Sequence, residues 1–282
     1  MNARAKAADR RASALFWGAA LLVIAILAGI ILYILVNGVP ALSWAFLTQA
    51  PAKMGREGGV LPMIVGTLVL TVMAILIATP LGVGTAIYLT EYTREGPVTQ
   101  IIRFGAESLA GIPSIIFGLF GFIFFVIELD LGWSILSGAL TLAAMILPTI
   151  IRTAEESLRS VPVSFREISY ALGASRWQTV TRAVLPTAMP GIVTGIVLAL
   201  GRSIGETAAV IFTAGSSLRL PTSLFDPVRT LPVHFYILAR EGISLQKAYA
   251  TAAILVIAIL LINFVAYYLL ARFSARRGAV RR

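Results

Sequence analysis

The stretch Val163-Ser-Phe-Arg-Glu-Ile-Ser-Tyr-Ala-Leu-Gly-Ala-Ser-Arg-Trp-Gln-Thr-Val180 is a polar interruption between two long apolar runs. Pro162 precedes it, and Ser164 and Glu167 stand at the S-x-x-E spacing of a capping box, in which a hydroxyl and a carboxyl group satisfy the free N–H groups that open a helix. Gly173 follows Leu172 where a left-handed C-terminal cap falls. Ser175 and Gln178 repeat the box spacing. The expectation is a short helix over 165–172, a glycine-directed turn, and a second helix that runs into the next apolar stretch. Phe165, Ile168, Ala171 and Leu172 fall on one stripe of the first helix. A helix this short is marginal alone in water, so the stripe needs a partner. Lipid headgroups are one candidate, since Arg159, Arg166 and Arg176 would suit them; a protein is the other.

Outward from this stretch the chain is apolar. Of its 282 residues 58% are hydrophobic and 13% charged, against about 25% charged in a soluble domain. A soluble fold could not cover its exterior with so few polar groups, whereas lipid tails remove that requirement. A spanning helix needs roughly 20 apolar residues to cross about 30 Å of hydrocarbon. Uncharged stretches supply six spans: one near 15–36, one near 62–89, one over 108–127 extended backward past Glu107, one over 131–151, one from Ala183 through Gly201 and on to Leu218, and one over 248–271. The fold class expected is all-α, a polytopic membrane protein of six transmembrane helices.

Positive charge in short loops sets orientation. The N-terminus, loop 91–103, segment 152–182 and the C-terminal tail carry sixteen Lys and Arg, and the opposite loops carry six. Both termini are therefore expected in the cytoplasm, with 37–60, a tight turn near 128–133, and 214–247 outside. The first apolar run is long enough to span, and no A-x-A-like site follows it, so it is not expected to be a cleaved signal peptide.

Several function classes are disfavoured. There is no cysteine and a single histidine, His234, which argues against thiolate or His-rich metal sites. The net charge of +10 is spread over short loops between spans and does not form a basic domain for nucleic acid. No G-x-x-x-x-G-K-[ST] loop is present to cradle nucleotide phosphates, and no nucleophile–base arrangement is legible. What remains unusual is a pair of charges deep in the fifth span, Arg202 and Glu206. A charge at the bilayer centre costs about 2.5–3.5 kcal/mol on insertion scales, so it faces protein or water. At i, i+4 both would share one helix face. They could be a self-satisfied pair holding two helices together, or they could line an anion path, with Arg152 at its cytoplasmic end. Arginine offers a planar fork suited to phosphate oxygens, and Glu206 would temper it so that the anion can leave.

The run Glu167-Ile-Ser-Tyr-Ala-Leu-Gly173 followed by Leu185-Pro186 resembles the EAA loop of binding-protein-dependent ABC importer permeases, with Ile168 and Ser169 in place of the two alanines. Leu147-Pro-Thr-Ile-Ile-Arg152-Thr-Ala-Glu155-Glu156, Gly111-Ile-Pro-Ser-Ile-Ile-Phe-Gly-Leu-Phe120 and Ala199-Leu-Gly-Arg202-Ser-Ile-Gly-Glu206-Thr-Ala resemble the phosphate permeases of the Pst system, the PstA type more than the PstC type. The resemblance implies a type I ABC importer permease fold over 60–272, with tails at 1–14 and 273–282, a separate first helix at 15–36, and a cytoplasmic coupling loop at 162–186. Glu167, Ile168, Ala171, Leu172 and Gly173 would then seat against an ATPase. It implies a PstC-like second permease, a PstB-like ATPase dimer holding ATP and Mg, a PstS-like binding protein, and no cofactor on this chain. The setting implied is a bacterial or archaeal plasma membrane. A permease for molybdate or sulfate would keep the coupling loop but lack Arg202 with Gly-Glu-Thr-Ala. A secondary transporter would need no such loop and would carry inverted repeats.

Overall fold

The computed structural model describes the backbone of residues 3–279 and the side chains of Asp9 and residues 11–268. The basic residues at both extremes, Arg4, Lys6, Arg10 and Arg272 onward, lie outside the described side chains. In chain order the helices are α1 (Ala3–Gly38), α2 (Trp44–Thr48), α3 (Leu61–Ile87), α4 (Pro97–Ala110), α5 (Ser114–Gly121), α6 (Ile135–Arg159), α7 (Val163–Ala171), α8 (Arg176–Thr179), α9 (Leu185–Ile204), α10 (Ala208–Thr213), α11 (Leu231–Arg240) and α12 (Leu245–Ala279). Single π-helical turns extend α3 (Tyr88–Tyr92), α5 (Phe122–Glu128) and α8 (Val180–Val184). A two-stranded antiparallel hairpin, β1 (Pro51–Ala52) with β2 (Glu57–Gly58), is the only strand pairing among the described residues.

Among the described residues five helices are long and apolar enough to cross a membrane, and a sixth span exists only if α4 and α5 are taken together. That corrects the expected third span. It does not run back straight past Glu107, because the chain bends by 102° between Ala110 and Ser114. The bend falls on Gly111-Ile112-Pro113, where proline cannot continue the hydrogen-bond ladder of the preceding helix. The fifth span also differs from expectation: α9 ends at Ile204, and the chain resumes helix only at Ala208.

The core is the crossing of α3 on α6. Leu70, Ala74 and Ala78 interlock with Leu142, Met145, Ile146 and Ile150, and Phe117, Ala199, Ala209 and Val210 close the cluster. A second apolar cluster, with Ala86, Leu158, Val184 and Ile192, sits at the end of the bundle that bears α7. A third, with Phe46, Val60, Met63, Leu231 and Ala250, seals the opposite end under the hairpin. Segment 214–247 is more than turns: α11 is buried along Leu231–His234, and Leu231 N–H donates to Thr67 Oγ1 at 2.9 Å. His234, on this helix, is buried.

Small residues set how close the helices come. Gly191 and Gly195, one turn apart on α9, lie against Ser157 and Thr153 of α6, where any Cβ would collide. This is the small-xxx-small arrangement by which membrane helices gain dispersion contact when no hydrophobic effect draws them together. Ser157 and Thr153 return their hydroxyls to their own helix, at 2.6 Å and 2.8 Å, so the interface buries no unsatisfied donor at those two positions.

Candidate functional site

The segment 163–180 folds as helix, turn and helix. α7 starts at Val163 with Pro162 as its cap residue, and no side chain caps it. The expected Ser164–Glu167 box is therefore not formed: the helix begins one residue before Ser164, which leaves Ser164 inside the first turn. The end of α7 is as expected. Gly173 takes φ +79°, Ala174 N–H donates to Ser169 O at 3.1 Å, and Gly173 N–H donates to Tyr170 O at 2.9 Å. Those two bonds are the Schellman pair that closes a helix through a left-handed glycine. The second box is complete, with Gln178 N–H donating to Ser175 Oγ and Ser175 N–H to Gln178 Oε1.

The stripe divides into an inner and an outer part. Phe165 turns inward to the cluster around Leu158 and Val184. Ile168, Ala171 and Leu172 face outward, Leu172 with 83% of its surface exposed. Val163 and Trp177 are exposed beside them. Glu167 and Gly173 are also exposed, and Glu167 forms no ion pair among the described residues. The five residues expected to seat against a partner thus form one accessible surface. An apolar patch rimmed by polar groups marks a site of association.

Arg202 lies on the last turn of α9, exposed, and has no ion pair among the described residues. Glu206 does not share a helix face with it, as the i, i+4 spacing had implied. It stands in the break after α9, and its Oε1 accepts from Thr207 N and Ala209 N, both at 3.1 Å, opening α10. The carboxylate satisfies free N–H groups at the start of the next helix, where a negative charge is also favoured by the helix dipole.

Arg152 lies elsewhere, in a cavity of about 450 Å³ between α4 and α6 whose lining includes neither Arg202 nor Glu206. Its guanidinium reaches Glu107 at 3.0 Å and Glu156 at 3.2 Å. Beside it, Arg103 bonds Glu155 at 2.7 Å and Glu95 at 2.8 Å, and Arg159 bonds the same two carboxylates at 2.9 Å each. The hydrogen bond from Arg103 holds the Glu95 carboxyl below its ordinary range. This network fastens α4 across α6. It was not legible in the sequence, where Arg103 and Arg159 counted only as loop charges. An excess of carboxylates beside loop arginines was the signal available.

The chain matches the family model described as "Binding-protein-dependent transport system inner membrane component" over residues 78–278. It is 38% identical over 281 residues to the "Probable ABC transporter permease protein YqgI" of Bacillus subtilis (strain 168), covering 94% of this chain and 95% of that one. It is 36% identical over 260 residues to the "Phosphate transport system permease protein PstA 2" of Mycobacterium bovis (strain ATCC BAA-935 / AF2122/97), covering 89% and 85%, and 36% identical over 238 residues to the PstA of Haemophilus influenzae (strain ATCC 51907 / DSM 11121 / KW20 / Rd), covering 83% of each. Among solved structures, a chain of a bacterial alginate ABC transporter in complex with its alginate-bound periplasmic protein superimposes with a TM-score of 0.70 at 16% identity, covering 96% and 97%. A chain of the methionine ABC transporter MetNI in an inward-facing conformation gives 0.63 at 21% identity, covering 73% and 92%. Those two likenesses concern the fold. With the family model over most of the chain and full-length relatives above 30% identity, this chain belongs to the family of inner-membrane components of binding-protein-dependent transport systems, the ABC importer permeases.

Proposed function

We propose that the chain forms half of the pore of an ATP-driven importer that carries inorganic phosphate into the cytoplasm of a bacterium or archaeon. The observation that carries this reading is the coupling surface: α7 presents Ile168, Ala171 and Leu172 outward from a helix–turn–helix. A short apolar helix face held clear of the bundle has no function without a partner. That partner is a PstB-like ATPase dimer, which holds the ATP and Mg; this chain is not itself an enzyme and binds no cofactor. A PstC-like permease supplies the other half of the pore, and a PstS-like binding protein delivers the anion to the opposite face. Both termini then lie in the cytoplasm, the side on which the arginine-rich loops accumulate.

Phosphate is the cargo supported by the PstA relatives and by Arg202. An exposed guanidinium with no ion-pair partner among the described residues offers charge-assisted hydrogen bonds to an oxyanion. Glu206 follows it on the path, and Arg152, already shared by two carboxylates, is the weaker contact at the cytoplasmic end, which suits release. Affinity purification from mild detergent, followed by reconstitution, tests the reading. The expected result is co-purification of an ATPase and a second permease, with hydrolysis stimulated by phosphate-loaded binding protein. A chain that carries substrate with no ATPase attached would refute it.

A further inference from the structure

Arg166 points from the inner face of α7 and makes five hydrogen bonds. Nε and Nη2 grip the Glu91 carboxylate, at 2.6 Å, 3.1 Å and 3.2 Å; Nη2 also donates to Leu158 O at 3.0 Å, and Nη1 donates to Val161 O at 2.9 Å. The pair is shielded, with 5% of the Glu91 side chain and 18% of the Arg166 side chain exposed. Glu91 lies in the π-helical turn that ends α3, Leu158 lies in the last turn of α6, and Val161 follows two residues after that helix ends. One guanidinium therefore joins the coupling helix to the ends of the two helices that cross in the core. The surrounding contacts run the same way: Phe165 packs among Ala86, Leu158 and Val184, Ser169 Oγ lies 2.8 Å from Thr179 Oγ1, and the Arg176 guanidinium sits 5.6 Å from the centre of the Tyr92 ring.

The covalent links to α7 are poor transmitters by comparison. Ser160–Pro162 and Gly173–Ala174 are not helical, and Gly173 turns through a left-handed conformation in open space. A displacement of α7 could be absorbed there. A bidentate guanidinium–carboxylate fork has fixed geometry and resists it. The exposed pairs of the molecule, such as Arg152–Glu156, hold their partners far less firmly.

We propose that the buried Glu91–Arg166 pair is the strut through which motion of the coupling helix reaches α3 and α6, so that its loss uncouples ATP hydrolysis from transport. This rests on residues 163–180 being the ATPase-docking element. The two residues are positioning residues; neither touches cargo or nucleotide.

The test uses the full importer in proteoliposomes, with phosphate uptake and ATP hydrolysis measured in parallel for Glu91→Gln, Arg166→Gln and the conservative Arg166→Lys. With the ATPase still bound and hydrolysis retained, phosphate moved per ATP is expected to fall about tenfold or more in the two glutamine variants, within the usual range of coupling energies, and less in Arg166→Lys. Because the chain has no cysteine, spin labels at Arg94→Cys and Ser164→Cys give a second readout in the otherwise unaltered protein. Their separation is expected to stay constant through the ATP cycle, and to vary once Glu91→Gln is added. Unchanged phosphate per ATP, loss of the ATPase from the variants, or relative movement of the labels in the unaltered pair would each overturn the proposal. Should the glutamine variants not fold, the label distance in the unaltered pair still decides it. If the unaltered chain captures no ATPase at all, the docking reading beneath the proposal is what fails.

Discussion

Arg202 and His234 show how differently two isolated polar residues are handled. Arg202 is exposed on the last turn of α9, with no carboxylate beside it among the described residues. Charge-assisted hydrogen bonds contribute about 1.5–3 kcal/mol each, so Arg202→Gln is expected to lower phosphate uptake by roughly ten- to a hundredfold. The check is uptake in cells that depend on this importer, with the membrane level of the variant measured alongside. Normal uptake at a normal level would remove Arg202 from the path. His234 is buried on α11. Burial first, and then the nearby Arg229 charge, hold its imidazole down to about 4 from an ordinary 6.5. In the unfolded chain His234 takes up a proton near pH 6.5, while the folded protein resists until about pH 4. Stability is therefore complete above about pH 6.5 and falls as the pH drops through that window, by about 3 kcal/mol in all. The melting temperature in detergent is expected to decline more steeply between pH 7 and 4 for the native chain than for His234→Gln, whatever the variant's absolute stability. Parallel slopes would contradict the assignment.

At the level of the element, local signals were legible where one segment decides its own shape. Ser175, Gln178 and Gly173 perform as their spacing implied, because cap and C-terminal turn involve neighbours within a few residues. Ser164 and Glu167 match the same pattern but do not form it. Pro162 starts α7 at Val163, and the packing of Phe165 and the grip of Arg166 then fix the register of the helix. Arg202 and Glu206 fail as a helical pair for a similar reason: spacing alone cannot show that Glu206 will cap α10. The glycines divide in the same way. Gly84 on α3 has open space around it, whereas Gly195 on α9 abuts Thr153. Gly195→Ala is expected to lower stability by about 1–3 kcal/mol through overpacking, and Gly84→Ala to be neutral or slightly stabilising because alanine is the better helix former. Thermal melts of the two variants side by side check this, and equal midpoints would show that the α6–α9 contact is not tight.

Across the whole molecule, apolar surface is distributed unevenly. Among the described side chains of α1, Gly38 alone is buried, where the end of the helix meets Tyr249 and Ala253 of α12. α6, by contrast, is mostly buried and touches α3, α4, α5, α9 and α10. α1 therefore contributes little to the intramolecular core, and its exposed surface faces lipid or another subunit. A chain lacking residues 1–36 is expected to keep a melting temperature within a few degrees of the full chain in micelles, since no core cluster loses a member. A collapse of the melt on truncation would show that α1 holds the bundle together.

The amino-acid order by itself determined that the chain is helical and membrane-spanning, and which segment forms the helix–glycine–helix, because those properties follow from the length of apolar runs and from contacts within a few residues. Tertiary structure alone decided the size of the bend at Pro113, 102° between α4 and α5, the place of Glu206 outside α9, the Arg103–Glu155 network and the Glu91–Arg166 pair. Glu91 and Arg166 are 75 positions apart. Nothing in either neighbourhood marks them as partners, since an ion pair depends on where two helix ends meet, and that is set by the crossing of α3 on α6.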